Sequence, residues 1–279
     1  MSTITGPRPA APGRTPAPAP HRATFSNVLR SERIKLTTIR STWITLLVAL
    51  AVGIGIGALT SYLSGSHYAS STLAGKATWD PTAFSLDGIQ LAELAIAVLG
   101  VLVITSEYGT GMVRVSLAAV PRRSRFLAAK AVMFTAVVLV VGEVMAFAAF
   151  LLGQALIGSS APHASLAAPG VLRAVIGAGV YLAVIGLLAM AIGALVRGTA
   201  AGISAVMALL FVLPGVFGVL PSSWRNQLEE FWPTQAGTQI FVVHRAAHTL
   251  ATWPGFGVLL LFAAIVAAAA SYAINCRDA

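Results

Sequence analysis

Two carboxylates lie inside long apolar runs of the sequence, where a charged side chain is costly. These residues are Glu93 and Glu143. Ionisable side chains within membrane segments either mark substrate paths or pair with polar groups inside a helix bundle. One hypothesis places both carboxylates on a translocation path, where Glu143 would face the path or a partner protomer and contact a cationic or polar substrate. The alternative for Glu143 is a protonated or hydrogen-bonded glutamate within the bundle that contacts no substrate.

The most informative polar stretch, residues 105–126, separates two apolar runs. Ser106 and Glu107 suit a helix start, because side-chain oxygens satisfy unpaired amides and negative charge favours the helix dipole there. A small apolar ridge follows, formed by Val113, Leu117 and Val120. These features predict a short helix that receives force from a soluble partner, since a rigid element moves spans without unfolding. The alternative is a basic hairpin that only follows the charge bias of membrane proteins.

Catalytic motifs do not occur in the sequence. There is no phosphate-binding loop, nucleophile elbow or pair of catalytic acids, so we expect no enzymatic activity. Gly53 and Gly57 lie inside an apolar run, where close helix packing explains them better than nucleotide binding. His244 and His248 have the spacing of a zinc helix, but Arg245 stands where a zinc protease carries glutamate. We expect neither a metal site nor a cofactor bound by this chain.

The elements that position these residues follow from composition. Of the 279 residues, 57% are hydrophobic and only 10% are charged. A soluble domain carries about 25% charged residues, so the composition predicts an integral membrane protein. The formal charge of +9 does not indicate a nucleic acid partner, because the basic residues lie between apolar runs rather than on a compact polar domain.

Six apolar runs are long enough to cross a membrane as helices, which requires about 20 residues each. The predicted spans are residues 43–63, 84–104, 127–152, 171–196, 200–220 and 255–274. The sequence therefore predicts an all-α bundle of six transmembrane helices within residues 43–279. Residues 197–199 leave room only for a tight turn between the fourth and fifth spans.

Lysine and arginine are distributed unevenly between the two ends of the predicted spans. Fourteen of the 18 lie before the first span, between the second and third, between the fourth and fifth, or after the sixth. Positive charge near span ends is retained in the cytoplasm. We therefore predict a multi-pass protein of the plasma membrane with both termini in the cytoplasm.

The segment before the first span divides into two parts. Residues 1–22 are rich in proline and alanine and are predicted to be a disordered tail. Residues 23–42 predict an interfacial helix, whose basic side would be attracted by anionic lipid. Its apolar face is formed by Phe25, Val28, Leu29, Leu36 and Ile39. The pattern fits a plain anchor for the first span as well as an element with a mechanical role.

The connection between the fifth and sixth spans, residues 221–254, has the pattern of an interfacial segment. Trp224, Leu228, Phe231 and Trp232 recur at helical spacing, and tryptophan favours the headgroup level of a membrane. We expect two short helices broken at Pro233, which cover one end of the bundle.

Two of the predicted cytoplasmic segments carry recognisable motifs. They read SERIKL at 31–36 and RSTW at 40–43, then ITSEYGTG at 104–111 and PRR at 121–123. Together these motifs resemble the permeases of the ABC-2 type exporter class, particularly those of actinobacteria. The layout of most of the chain is also similar to that class.

The resemblance implies two cytoplasmic elements besides the six spans. A connecting helix precedes the first span, and a coupling helix between the second and third spans docks on a nucleotide-binding subunit. By position, Glu32 and Lys35 belong to the connecting helix. The coupling region contains Glu107, Tyr108, Gly109, Thr110, Gly111 and Arg114. The sequence departs from the family at Thr110, where a bulkier polar residue is common.

We therefore expect the transmembrane permease subunit of an ABC exporter, paired with a second permease in a homodimer or heterodimer within membrane lipid. A separate ABC ATP-binding subunit would use ATP and magnesium to drive export. One alternative is an ion-coupled secondary transporter or channel without an ATPase, for which an internal repeat is expected and none is clear. Another is a membrane anchor that transports nothing.

Overall fold

A computed structural model describes residues 25–109, 111, 123–159, 161–246 and 248–276. The predicted disordered tail, residues 1–22, lies outside the described residues, as does most of the predicted coupling helix. The described residues form helices joined by turns and loops, with no strand among them. Helices are expected here because lipid offers no hydrogen bonds, so each backbone group needs a partner within its own segment.

Six segments of the described chain are long and apolar enough to cross a membrane. This confirms the predicted six-helix, all-α architecture and indicates a multi-pass membrane protein. The six spans are Arg40–His67, Pro81–Gly109, Ser124–Leu156, Val171–Val196, Thr199–Phe217 and Thr252–Cys276. Most extend a few residues past the predicted apolar runs, because a helix continues into the polar residues at its ends.

Shorter helices and one irregular segment complete the chain. An N-terminal helix, Phe25–Thr38, precedes the first span, and the helices Leu73–Ala77 and Pro81–Leu86 lead into Gly88–Gly109. The fifth span contains a π-helix, Ala208–Val212, just before Pro214. Proline lacks an N–H and crowds the preceding turn, which a wider π-turn relieves. Two loop helices, Ser222–Phe231 and Pro233–Thr238, precede the sixth span and are broken at Pro233, as expected.

The fourth span, Val171–Val196, forms the centre of the bundle. It packs mainly against the second and third spans and also contacts the sixth. Its most apolar window is 78% buried, whereas those of the fifth and sixth spans are each 22% buried. The fifth and sixth spans therefore lie at the periphery of the bundle.

Close helix contacts depend on glycines of the first span. A side chain at Gly53 would collide with Met145, and one at Gly57 would collide with the backbone carbonyl of Ser85. Gly55 lies between them and faces open space. The structure confirms the prediction that Gly53 and Gly57 serve close helix packing.

Replacement of Gly57 by alanine tests this contact. We expect Gly57→Ala to destabilise the protein by about 1–3 kcal/mol, because the added methyl group forces backbone apart at a packed interface. Thermal melting of the purified protein in detergent measures the change. Gly55→Ala is the matched control, since it adds the same group to the same helix at an open position. Equal melting temperatures for the two variants would contradict the packing role of Gly57.

Candidate functional site

The candidate site lies where the N-terminal helix meets the second and third spans. We call this the basal end of the bundle, defined by the last turn of the second span and the first turns of the third. The buried residues of the N-terminal helix are Val28, Glu32 and Leu36, which share one face at a spacing of four residues. This face packs against the helix Arg123–Leu156, which contains the third span. An apolar contact therefore carries the acidic side chain of Glu32 into the protein.

Four charged side chains form a closed ring at the basal end, which we call the charge ring. The ammonium of Lys130 donates to Glu32 Oε2 at 2.6 Å and to Glu107 Oε1 at 2.7 Å. The ammonium of Lys35 donates to Glu32 Oε1 and to Glu107 Oε1, both at 2.9 Å. Acidic and basic groups alternate around the ring, so each charge has two opposite neighbours. The ring joins the N-terminal helix, the second span and the third span.

Three of the four ring side chains are almost fully buried. Those of Glu32, Lys130 and Glu107 are 2%, 3% and 8% exposed, while Lys35 is 27% exposed. Removing an ion from water costs several kcal/mol, which a single ion pair repays only with very good geometry. The alternating ring supplies that geometry, and its two positive and two negative charges cancel. The arrangement is therefore tolerated only while all four side chains remain in place.

An aromatic ring and local electrostatics support the two lysines. Both ammonium groups lie over Phe126, with Lys130 at 5.4 Å and Lys35 at 5.6 Å from the ring centroid. This is within the range of a cation–π interaction. Burial disfavours the charged form of Lys35, but hydrogen bonds and charge from Glu32 and Glu107 outweigh it and raise the pKa of Lys35 above its ordinary value. Lys35 therefore stays protonated at neutral pH.

The other residues of the predicted coupling region lie apart from the ring or outside the described residues. The Tyr108 ring lies 5.6 Å from the Arg197 guanidinium carbon. Gly109 ends the second span on the surface, and Gly111 has a positive φ of 69°, which suits a turn. Thr110 and Arg114 lie outside the described residues.

The turn between the fourth and fifth spans also joins the basal end. Thr199 donates a hydrogen bond of 3.0 Å to Thr105 of the second span. Arg197, which has a positive φ of 59°, donates to the carbonyl of Ala273 in the sixth span at 3.3 Å. The connection between the fourth and fifth spans is therefore tied to the second and sixth spans at the basal end.

The two carboxylates of the apolar runs occupy different environments. Glu93 is buried in the second span and accepts a hydrogen bond of 2.7 Å from the Tyr181 hydroxyl of the fourth span. Glu143 is half-buried in the third span, and its carboxyl group lies where a side chain at Gly179 would project. The structure thus places Glu93 inside the bundle and Glu143 at the contact between the third and fourth spans.

Three residues of these sites were not predicted as site residues. The sequence does mark Lys130 as a candidate, because it is a lone lysine at the start of an apolar helix, four residues after Phe126. Tyr181 is the single tyrosine of the fourth apolar run, which marks it as a hydrogen-bonding partner for a buried group. Nothing in the sequence marks Phe126 as a site residue, since an aromatic residue at the end of a span is common.

Comparison with known proteins adds no family assignment. No protein-family model matches the sequence, and no curated protein matches it either. Among the described residues, no group of three or more His, Cys, Asp or Glu side chains is placed to hold a metal ion. The function therefore has to be argued from the charge ring, the spans and the sequence motifs.

Removal of Lys130 tests the charge ring. We expect Lys130→Met to destabilise the protein by about 3–5 kcal/mol, because it leaves two buried carboxylates facing a single lysine. Thermal melting in detergent measures the loss. Lys76→Met is the control, since Lys76 lies outside the ring and contacts the carbonyl of Ala69 and the ring of Tyr68. If both variants melt at the temperature of the unmodified protein, the ring does not stabilise the basal end.

Proposed function

We propose that this chain is the transmembrane permease subunit of an ABC-2 type exporter in the plasma membrane. A separate ATP-binding subunit hydrolyses ATP, and the permease converts its movement into export of a substrate. Both termini and the basal end face the cytoplasm. The observation that carries the proposal is the charge ring, which includes residues of both segments that resemble this class.

The ring gives a physical route for force between the two segments. Glu32 and Lys35 come from the proposed connecting helix, and Glu107 lies at the start of the proposed coupling region. Lys130 ties both carboxylates to the third span. Because separating these charges leaves buried ions unpaired, a push on the connection between the second and third spans moves the N-terminal helix with it.

The peripheral spans support a dimeric arrangement of the permease. Exposed apolar side chains cover the first, fifth and sixth spans, including Leu47, Val216 and Leu261. In a dimer, part of this surface packs against a second permease and the remainder contacts lipid acyl chains. Six spans from each of two subunits then enclose the substrate path.

One observation favours a second candidate, an ion-coupled secondary transporter that works without an ATPase. Glu93 and Tyr181 form a buried polar pair within the spans, and such groups serve ion coupling in secondary transporters. Transport by the purified chain alone in liposomes, driven by an ion gradient, would favour this candidate. A requirement for an ATPase would favour the exporter.

Purification in mild detergent tests the exporter proposal. We expect an ATP-hydrolysing subunit to copurify with the permease, because the connection between the second and third spans binds it. The variants Arg114→Glu and Arg125→Glu reverse charges in or beside that connection without altering the ring. They should lower the copurified ATPase activity by about tenfold or more, since reversing a charge at an interface costs several kcal/mol.

The matched control is Arg245→Glu, which reverses an exposed charge in the loop before the sixth span. It should leave the copurified activity unchanged. Equal loss in all three variants would indicate a general defect rather than a docking site. Absence of any ATPase from the unmodified protein, together with transport by the chain alone, would overturn the proposal.

A further inference from the structure

A second polar site lies at the end of the bundle opposite the charge ring. A cavity of about 160 Å³ opens between the second, fourth and fifth spans and the loop helix Pro233–Thr238. Its polar wall is formed by Gln90, Glu93, Tyr181, Thr234, Gln235 and Thr238. Three of them, Gln90, Glu93 and Tyr181, come from apolar spans, where polar groups are costly unless they have a partner.

One polar atom of this wall has no partner. The hydroxyl oxygen of Thr234 is buried and has no hydrogen-bond partner among the described residues, and Thr234 is only 3% exposed. Leaving such a group unsatisfied costs about 1–3 kcal/mol. The hydroxyl of Thr238, by contrast, is satisfied by the carbonyl of Gln235 at 2.7 Å. The unsatisfied hydroxyl of Thr234 therefore indicates that the cavity holds a ligand that forms hydrogen bonds.

The charge of the cavity wall indicates the charge of the ligand. Glu93 brings a carboxyl group that accepts one hydrogen bond, from Tyr181, and retains further lone pairs. No lysine, arginine or histidine is found among the described residues that line the cavity. A ligand that carries positive charge and several N–H donors would form hydrogen bonds with both the carboxylate of Glu93 and the hydroxyl of Thr234.

A second, acidic cavity adjoins the first, which we call the inner cavity. The second cavity, of about 360 Å³, shares Pro214 and Gln235 with the first and is lined by Glu229 and Glu230. Both carboxylates would attract a cation to the vicinity of the inner cavity.

The backbone around the inner cavity is held in place by specific contacts. The π-helix Ala208–Val212 supplies Leu210 and Phe211 to its wall, and π-turns occur frequently at functional sites. Trp232 donates a hydrogen bond of 3.1 Å to the carbonyl of Leu209, which fixes the loop helix against the fifth span. After the loop helix, Arg173 of the fourth span binds the carbonyls of Ile240 and Val242, each at 2.9 Å, and so fixes the end of this segment. The site is therefore preorganised rather than a gap in loose packing.

We propose that this cavity binds the primary ammonium group of a small organic cation, with Glu93 and Thr234 as its main partners. An ammonium group donates three hydrogen bonds, which go to the Glu93 carboxylate, the Thr234 hydroxyl and an amide oxygen such as that of Gln235. A cavity of about 150 Å³ accommodates a molecule the size of benzene, so an ammonium with a short alkyl chain fits. This inference rests on the proposed function and deepens it, because it assigns alkylammonium compounds as the substrate class of the exporter.

Calorimetric titration of the purified protein in lipid nanodiscs tests the site, with propylammonium chloride as the probe. We expect saturable binding of propylammonium and no binding of 1-propanol, which has nearly the same shape without the charge. Sodium chloride at the same ionic strength controls for a simple salt effect. Binding of sodium or 1-propanol in place of propylammonium would overturn the proposal.

Two variants locate the probe, and a third controls for them. Glu93→Gln should weaken binding by about tenfold or more, because it removes a charge-assisted hydrogen bond. Thr234→Val keeps the shape of the side chain and should weaken binding by about two- to tenfold, since it removes one neutral hydrogen bond. Asp87→Asn removes an exposed carboxylate that does not line the cavity and should have no effect. Melting temperatures verify that each variant is folded.

The outcomes separate this inference from the proposed function. Binding that survives both Glu93→Gln and Thr234→Val in folded protein would overturn the cation site, even if an ATPase copurifies with the chain. Binding that both variants weaken would support the site even if no ATPase is found, in which case the exporter proposal alone would fail.

Discussion

The basal end depends on one electrostatic constraint, which is the burial of four charges at the edge of an apolar bundle. Glu32, Glu107 and Lys130 have almost no contact with water, so each needs opposite charge within hydrogen-bond distance. The alternating ring meets that need while fixing the N-terminal helix to the second and third spans. Three chain segments that are distant in sequence thus become one mechanical unit.

The ring also borders a crevice of about 300 Å³ between the N-terminal helix and the first and second spans, which all four ring residues help to line. In the proposed export cycle, this space would let the N-terminal helix shift against the first span. The fourth span, buried at the centre, and the close contact at Gly57 hold the spans together. The proposed cycle therefore combines a tightly packed core with an N-terminal helix that has room to move.

The class of the fold was predictable from the sequence because lipid imposes simple rules. Length and apolarity of the six runs suffice for the number of spans, since each span needs about 20 apolar residues. Spacing also predicted the packing role of Gly53 and Gly57 and the break at Pro233. These features are local, and each depends on residues close together in the chain.

The charge ring was only partly predictable, because its members come from three separate segments. Glu32, Lys35 and Glu107 were selected through resemblance to a family, and no pattern showed that they meet. Lys130 was counted only as one of the basic residues that set orientation. Finding the ring from sequence would require the rotation of each helix about its axis, which the sequence of a nearly uniformly apolar span does not specify. The same reason hid Tyr181 and Thr234 as partners of the Glu93 cavity.

The proposed function requires the charge ring to face the cytoplasm, where a separate ATPase can act on it. A membrane-impermeant maleimide tests this most directly, with a single cysteine placed in a Cys276→Ser background. Ser124→Cys lies on the surface near the ring, and Ser70→Cys lies on the surface at the opposite end. If the ring faces the cytoplasm, the reagent labels only Ser70→Cys in intact cells, and both variants react after permeabilisation. Labelling of Ser124→Cys in intact cells would place the ring outside and contradict the account.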